Sequence, residues 1–392
     1  MNDLQDNVGF MGQLQPSATL AITAKAKAMK AAGEDVCSLC AGEPDFDTPQ
    51  HIKDAAIEAL NNGETKYTPA SGMPSLKAAV AEKFTKENGI PTEAANVVVA
   101  PGAKFSVFSA VAALCGEGDE VIIGAPYWVS YPDMIKASGA KCVVINCSAD
   151  NNYEIDPADL EAAVNDRTKL LILNSPSNPT GAIYRKETLE AIANIAVERN
   201  FMIISDEIYE KLTYEDDAPH ISIASLSPEV AAHTITVNGL SKAYSMTGWR
   251  LGYLTGPEWL IKRISALQSH TTSNPTTFAQ FGALAAIQGD QEPVEEMRLA
   301  FAKRRELIYD LMSAIPGVEC IRPCGAFYIF CDISSFGLSS QDFCAKLLAE
   351  EKMAVVPGAP FGAEGSVRMS YACSEEQIKD AAARLARFCK TL

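Results

Sequence analysis

Short apolar runs alternate with helical segments through most of the chain. The runs predicted as strands lie at 96–100, 120–124, 141–146, 169–173, 201–205, 234–238 and 250–256. Segments of helical character separate most of them, for example 103–115, 129–138 and 186–200. Apolar strands that alternate with helices form mainly parallel sheets covered on both faces. The pattern therefore predicts an α/β fold around a sheet of about seven strands.

The pattern becomes less regular from about residue 290. The predicted elements there are a long charged helix at 291–315, strands at 325–333, 353–357 and 366–372, a helix near 340–351 and a last helix from about 374. A chain of 392 residues is also too long for one ordinary core. We expect a large domain over 49–290, a smaller α+β domain over 291–392, and an N-terminal segment, 1–48, that joins the small domain.

The charge of the chain argues against two classes of partner. Forty-nine acidic and 33 basic side chains leave a net charge of −16, which repels nucleic-acid phosphates and anionic membrane surfaces. The N-terminus lacks the pattern of a signal peptide, and nowhere do about 18 apolar residues follow one another. We therefore expect a protein that binds neither nucleic acid nor membranes.

The cysteines predict a location and argue against a metal site. Eleven cysteines without an export signal are typical of a reducing compartment, so we expect a cytoplasmic protein. Cys37 and Cys40 form a C-x-x-C motif inside an apolar run that predicts a buried strand. Residues three apart in a strand point to opposite faces, so these two thiols are not expected to share a metal ion.

Polar motifs follow several of the predicted strands. Ligands of open parallel sheets collect at the carboxyl ends of the strands. Gly102, Ala103 and Lys104 open a helix directly after the first run, where free N–H groups favour an anion. Tyr127 and Trp128 follow the second run and could stack on a flat ligand. A tight turn and a structural aromatic pair are the alternative interpretations.

Three further strand ends carry polar groups. The turn NSPSNPTG contains Asn174 and Asn178, DEIY contains Asp206 and Tyr209, and GLSK contains Lys242. Asp206 could instead cap a helix, and Lys242 could form a salt bridge. One ligand that is flat, aromatic, phosphorylated, basic at a ring nitrogen and reactive toward an amine would satisfy all five strand ends. Pyridoxal phosphate has these properties.

The motifs together resemble one enzyme family. They are AGEPDFDTP, KYTPASG, PGAK, PYWVSYP, NSPSNPTG, SDEIYE, SKAYSMTGWRLGY, GAFY and VRMSYA. From about residue 15 to its end, the chain resembles the fold-type I pyridoxal-phosphate aminotransferases of class I, and within them the bacterial aspartate aminotransferase branch. The resemblance implies a homodimer with two active sites at the subunit interface, each between a large and a small domain.

The same resemblance assigns roles around the cofactor. Lys242 holds the cofactor covalently and later acts as a general base, which suits a lysine of lowered pKa. Asp206 pairs with the pyridine nitrogen and keeps it protonated. Tyr209 and Asn178 hydrogen-bond the ring oxygen, and Trp128 stacks on the ring.

The phosphate is held, by this resemblance, through the helix start and several side chains. The residues implied are Gly102, Ala103, Lys104, Ser241, Arg250 and, across the interface, Tyr67 of the partner subunit. Related chains often carry serine or threonine where this chain has Gly239 and Ala103. The chain is therefore expected to rely more on backbone groups and on Arg250.

The resemblance also indicates a dicarboxylic substrate. Arg368 binds the α-carboxylate as a bidentate fork, helped by Asn178, Trp128 and the backbone of Gly42. Lys104 reaches the distal carboxylate, which favours aspartate, glutamate, oxaloacetate and 2-oxoglutarate. Branch members that use prephenate share a lysine just before a Pro-Ser pair, and this chain has Gln15 there.

The expected reaction is ping-pong transamination, in which aspartate leaves as oxaloacetate before 2-oxoglutarate becomes glutamate. Alternatives within the fold are a main substrate such as prephenate, an aromatic amino acid or alanine, and a C–S lyase reaction. A transcription regulator with an aminotransferase-like domain would need a basic DNA-binding segment ahead of the fold, for which there is no room. A nicotinamide dehydrogenase would need a G-x-G-x-x-G fingerprint, which the first strand lacks.

Overall fold

The structure is a computed structural model that describes residues 12, 14, 18–215 and 219–392. Its α-helices are α1 (Ala18–Ala31), α2 (Gln50–Asn61), α3 (Pro74–Glu87), α4 (Ala103–Leu114), α5 (Tyr131–Ala137), α6 (Pro157–Ala163), α7 (Lys186–Arg199), α8 (Pro228–Ala232), α9 (Glu258–Ser269), α10 (Thr277–Gln288), α11 (Glu292–Ser313), α12 (Ser340–Glu351) and α13 (Glu375–Cys389). Its strands are β1 (Cys37–Ser38), β2 (Val97–Ala100), β3 (Glu120–Ala125), β4 (Lys141–Asn146), β5 (Thr168–Asn174), β6 (Met202–Asp206), β7 (Thr234–Gly239), β8 (Gly252–Thr255), β9 (Glu319–Cys320), β10 (Tyr328–Asp332), β11 (Met353–Ala354), β12 (Val356–Pro357) and β13 (Ser366–Ser370).

All the strands predicted between residues 96 and 256 lie in one sheet of seven strands. Its order is β2-β8-β7-β6-β5-β3-β4. Strand β8 runs antiparallel to both of its neighbours, and the other pairings are parallel. The predicted α/β fold with a mainly parallel sheet is therefore confirmed.

Both faces of the sheet are buried, as continuous apolar strands require. In β5, Leu170 and Ile172 belong to a core with α4, which contributes Val107 and Val111. The intervening Leu171 belongs, with Leu173, to a second core that includes Leu189 and Ile192 of α7. Alternate side chains of one strand thus hold helices on opposite faces of the sheet.

The C-terminal part of the chain is built around a smaller antiparallel sheet. Its order is β12-β13-β10-β9, and α11, α12 and α13 pack nearby. The strand predicted at 353–357 is two short strands, because β11 pairs with β1 whereas β12 pairs with β13. The N-terminal strand β1 is thereby joined to the C-terminal region. The domain limits at 48 and 290 remain predictions.

Both cysteines of the C-x-x-C pair are buried as expected, but the predicted strand is shorter, since β1 ends at Ser38 and does not reach Cys40. Cys37 and Cys40 belong to two different cores, so their side chains point apart. Within the described ranges, no helix combines the length and the hydrophobicity that crossing a membrane requires.

Candidate active site

The topology of the large sheet gathers the polar motifs at one edge. Strands β2, β3, β5, β6 and β7 run in the same direction and end there. The antiparallel β8 begins at this edge, which places Arg250, two residues before it, beside the other strand ends. A cavity of about 490 Å³ opens at this edge.

Most of the predicted site residues line this cavity. They are Gly42, Ala103, Lys104, Trp128, Asn178, Asp206, Tyr209, Ser241, Lys242, Arg250 and Arg368. Gly102 caps α4 behind the cavity wall, where an added Cβ would lie 2.6 Å from Nη2 of Arg250. Tyr67 does not line the cavity and is 89% exposed in the single chain. Gln15 lies outside the described residues.

Lys242 follows β7 and extends into the cavity. Its ammonium donates to the carbonyl oxygen of Gly42 and lies 5.9 Å from the ring centre of Tyr209 and 5.7 Å from that of Phe327. Burial lowers the pKa of Lys242 to about 8, and the positive charge of Arg368 acts in the same direction. A larger fraction of this amine is therefore neutral near pH 7 than for an exposed lysine, which makes it a better nucleophile and base.

Asp206 is the last residue of β6, and its carboxyl group is buried. One oxygen, Oδ2, accepts a 2.8 Å hydrogen bond from the hydroxyl of Tyr131. Burial raises the pKa of Asp206 to about 6, although the hydrogen bond from Tyr131 opposes the shift. A buried carboxylate without a protein cation in an ion pair is costly, so this group suits a cationic partner supplied by a ligand.

Arg368 lies in the middle of β13 and is almost completely buried. Its Nη1 donates to Oδ1 of Asn178 at 3.0 Å and its Nη2 donates to the carbonyl oxygen of Cys40 at 3.1 Å. The guanidinium lies 4.4 Å from the ring centre of Tyr328, and its Nε has no hydrogen-bond partner among the residues that the structure describes. Aromatic contacts and neutral acceptors hold this arginine in place, and its charge is left for a ligand.

Tyr209 and Tyr328 form a hydrogen-bonded pair in the cavity wall. Their hydroxyl oxygens are 2.9 Å apart, and burial raises the pKa of Tyr209 well above its ordinary value. Tyr209 therefore stays protonated and acts as a hydrogen-bonding group rather than as a base at neutral pH.

The cavity is rich in cations although the chain is acidic. Lys104, Lys242, Arg250 and Arg368 all line it, and within the described residues none of them is in an ion pair with a carboxylate. Lys104 lies over the ring of Trp128, with 4.8 Å between its Nζ and the ring centre. Burial and the charge of Arg250 lower the pKa of Lys104. With Lys27, the described lining holds five cations against the two carboxylates of Glu43 and Asp206, and this excess of positive charge indicates anionic ligands.

Three backbone segments approach one another closely beneath the cavity. Gly239 of β7 is paired with Gly252 of β8, and a Cβ added to Gly239 would lie 3.1 Å from the Cα of Gly252. A Cβ added to Gly252 would lie 2.2 Å from the backbone nitrogen of Ala103. A side chain at Gly239 would therefore be crowded by Gly252, by the carbonyl oxygen of Leu251 at 3.2 Å and by Cδ1 of Ile208 at 3.1 Å.

Sequence reasoning missed several residues of the cavity. Tyr131 and Tyr328 belong to the quoted motifs PYWVSYP and GAFY, but nothing in the motifs indicated their hydrogen bonds to Asp206 and Tyr209. Glu43 of AGEPDFDTP also lines the cavity and accepts a 2.8 Å hydrogen bond from the hydroxyl of Thr247. The sequence signal that could have indicated Tyr131 and Tyr328 was their position at the start of a helix or a strand, and many tyrosines without a role in a site share such a position.

Comparison with known proteins identifies the family. Residues 34–385 match the family model of the class I and class II aminotransferases. The chain therefore belongs to this aminotransferase family.

Individual relatives agree over nearly the whole length. The chain is 51% identical to an aspartate aminotransferase of Geobacillus stearothermophilus, with 96% of this chain and 97% of the relative covered. It is 45% identical to an aspartate/prephenate aminotransferase of Thermus thermophilus, with 95% and 96% covered. The solved aspartate aminotransferase of Thermus thermophilus with maleate superimposes with a TM-score of 0.93 at 43% identity, covering 99% of both chains.

Proposed function

We propose that this protein is a pyridoxal-phosphate-dependent aminotransferase that transfers the amino group of L-aspartate to 2-oxoglutarate, giving oxaloacetate and L-glutamate. The observation that carries the proposal is one cavity that combines a lysine of lowered pKa, a buried aspartate and two arginines for which the described part of the chain provides no carboxylate in an ion pair. Family membership and the names of the relatives support the same activity.

The residues of the cavity fit pyridoxal phosphate. The phosphate suits the start of α4 at Ala103 together with Arg250 and Ser241. The pyridine nitrogen, when protonated, would supply a cation for the buried Asp206, which has no ion-pair partner among residues 18–215 and 219–392. Trp128 offers a flat surface for the ring. When bound, the cofactor supplies an aldehyde that reacts with amines and a ring that withdraws electrons from the substrate Cα.

Lys242 performs two tasks in this proposal. Its neutral amine would hold the cofactor, and once a substrate amine had displaced it, the freed amine would take the proton from the substrate Cα. With a pKa of about 8, the amine is present in both its protonated and its neutral form near neutral pH. Tyr131 holds Asp206 in position through its 2.8 Å hydrogen bond, and Tyr209 donates a hydrogen bond toward the ring oxygen.

The substrate is a dicarboxylate in this proposal because the cavity has a cation for each carboxylate. Arg368 binds the α-carboxylate, with Asn178 and the backbone of Gly42 beside it. Lys104 is assigned to the distal carboxylate, since its ammonium has no carboxylate partner among the described residues. Prephenate is the second candidate substrate, and a relative named for both aspartate and prephenate favours it.

The proposal includes a homodimer located in the cytoplasm. Tyr67 is 89% exposed, and the nearby α2 exposes Ile57 and Leu60. This apolar surface is suited to a second copy of the chain, whose cavity Tyr67 would then reach. The eleven cysteines of the chain support the cytoplasm, since so many thiols are typical of proteins in a reducing compartment.

A trapping experiment tests the cofactor and its lysine. The purified protein is incubated with pyridoxal phosphate, reduced with borohydride and digested, and the modified peptide is identified by mass spectrometry. We expect the cofactor on Lys242, and we expect no trapping and no transamination for Lys242→Ala. Lys262→Ala is the matched control, because Lys262 is an exposed lysine that forms an ion pair with Glu258 on the surface of α9. Trapping on other lysines at equal yield, or wild-type turnover by Lys242→Ala, would contradict the proposal.

A further inference from the structure

Two cysteines of the C-terminal sheet face each other across neighbouring strands. Cys320 lies in β9 and Cys331 in β10, and the two residues are direct partners in the antiparallel pairing. Their sulfur atoms are 2.7 Å apart, although both are thiols in this structure. This is closer than two unbonded sulfur atoms normally approach, so the backbone already brings the side chains into bonding reach.

The backbone arrangement is compatible with a disulfide without rearrangement. Directly opposed residues of an antiparallel pair have Cα atoms about 4.5 to 5.5 Å apart. Disulfides are found at Cα separations of about 4.4 to 6.8 Å. The paired positions of Cys320 and Cys331 therefore meet the distance requirement by their register alone.

The two thiols differ in accessibility. Strand β9 is two residues long and lies at the edge of the sheet, where Cys320 is partly exposed. Cys331 lies inside the sheet and is completely buried. An oxidant from solution therefore meets Cys320 first, and Cys331 is held directly beside it to react in the second step.

We propose that Cys320 and Cys331 are a modification site at which hydrogen peroxide forms a reversible disulfide between β9 and β10. In the first step the Cys320 thiol releases its proton and the thiolate attacks one peroxide oxygen. The O–O bond breaks, and the products are a sulfenic acid and a hydroxide ion, which takes up the released proton to become water. In the second step the sulfur of Cys331 attacks the sulfur of Cys320, the S–O bond breaks, and the thiol proton leaves with the hydroxyl as a second water. Each peroxide thus takes two electrons from the two thiols.

The disulfide covalently ties the edge strand to the sheet that carries part of the cavity wall. Strand β10 begins at Tyr328 and pairs with β13. In this pairing, Phe330 of β10 lies opposite Arg368 of β13. The disulfide closes a short loop between residues 320 and 331 and bonds Cys320 of the edge strand to β10. A dithiol such as dithiothreitol reverses the bond by exchange.

Peptide mapping after oxidation tests the site. Fully reduced protein is treated with hydrogen peroxide, unfolded with an alkylating agent present, and digested with chymotrypsin, which cuts between the two cysteines at Phe327 or Tyr328. We expect two thiols fewer than the eleven of the reduced chain, a mass lower by two hydrogen atoms, and a linked pair of peptides containing Cys320 and Cys331. Dithiothreitol should restore all eleven thiols.

Three variants make the result specific. Cys320→Ser should keep all ten of its thiols after peroxide treatment, since Cys331 then has no partner. Cys331→Ala provides the same test from the buried side, and Cys324→Ser, altered only four residues from Cys320, should still form the link. A link to Cys324, oxidation of Cys320 alone to stable oxygen acids, or eleven unchanged thiols in the wild type would overturn the proposal.

Discussion

Replacing Lys104 by methionine should separate dicarboxylic from monocarboxylic substrates. Methionine keeps an unbranched apolar chain over the Trp128 ring but removes the ammonium, which lies 4.8 Å from that ring and has no carboxylate partner in the described residues. The backbone N–H of Lys104, at the start of α4, is unchanged. The variant therefore tests the charge and leaves the phosphate end of the site intact.

The expected loss follows from one hydrogen bond between charged groups. Such a bond contributes about 1.5 to 3 kcal/mol. Since about 1.4 kcal/mol corresponds to a factor of ten, kcat/KM for aspartate should fall by roughly 10- to 150-fold. For alanine, which lacks a distal carboxylate, we expect a change of less than about threefold, within the scatter of a surface substitution.

The half-reaction with the amino donor alone is the appropriate assay. The change in cofactor absorbance is followed after mixing with aspartate or alanine, because 2-oxoglutarate is itself a dicarboxylate and would confuse the comparison. The spectrum before mixing verifies that the variant has retained its cofactor. An equal loss for aspartate and alanine, or no loss for aspartate, would refute the role of Lys104.

Three further predictions concern the cofactor side and the packing of the site. Tyr131→Phe removes the 2.8 Å hydrogen bond to Asp206, so the pKa of that carboxyl group should rise above about 6. We expect kcat to fall by about 10- to 150-fold with KM little changed, and steady-state kinetics as a function of pH will measure both effects. The pKa of Lys242 is lowered to about 8, so the rate of pyridoxal phosphate capture by the cofactor-free protein should rise with pH and level off above about 8, whereas a rate that still climbs toward pH 10.5 would contradict the lowered pKa. Gly239→Ala should lower the free energy of unfolding by about 1 to 3 kcal/mol in urea because its Cβ meets backbone at 3.1 Å, whereas Gly248→Ala, with nothing within 4 Å, should change it far less.

The strands of the large sheet could be predicted because each is a continuous apolar run. The prediction at 169–173, for example, corresponds to β5 with one additional residue at each end. The order of the strands could not be predicted, because it depends on long-range pairing that leaves no local pattern. The antiparallel direction of β8, which brings Arg250 to the other strand ends, is such a feature.

The limits of the short strands and the hydrogen-bond partners of side chains could not be predicted from the sequence either. The run at 353–357 looks like one strand, and its division into β11 and β12 depends on two different neighbours. Tyr131 reaches Asp206 from the start of α5, a contact between residues 75 positions apart. Neighbours in space that are this distant in sequence carry no signal in a single chain, whereas glycine, asparagine and lysine at strand ends do.

An amino-donor panel tests the proposed function most directly. Aspartate, alanine, phenylalanine and tyrosine are each compared as donors to 2-oxoglutarate, and glutamate is tested with prephenate as acceptor. Because we propose that Arg368 and Lys104, which both line the cavity, bind the two carboxylates, we expect the highest kcat/KM for aspartate. A clear preference for alanine or an aromatic amino acid would contradict the account.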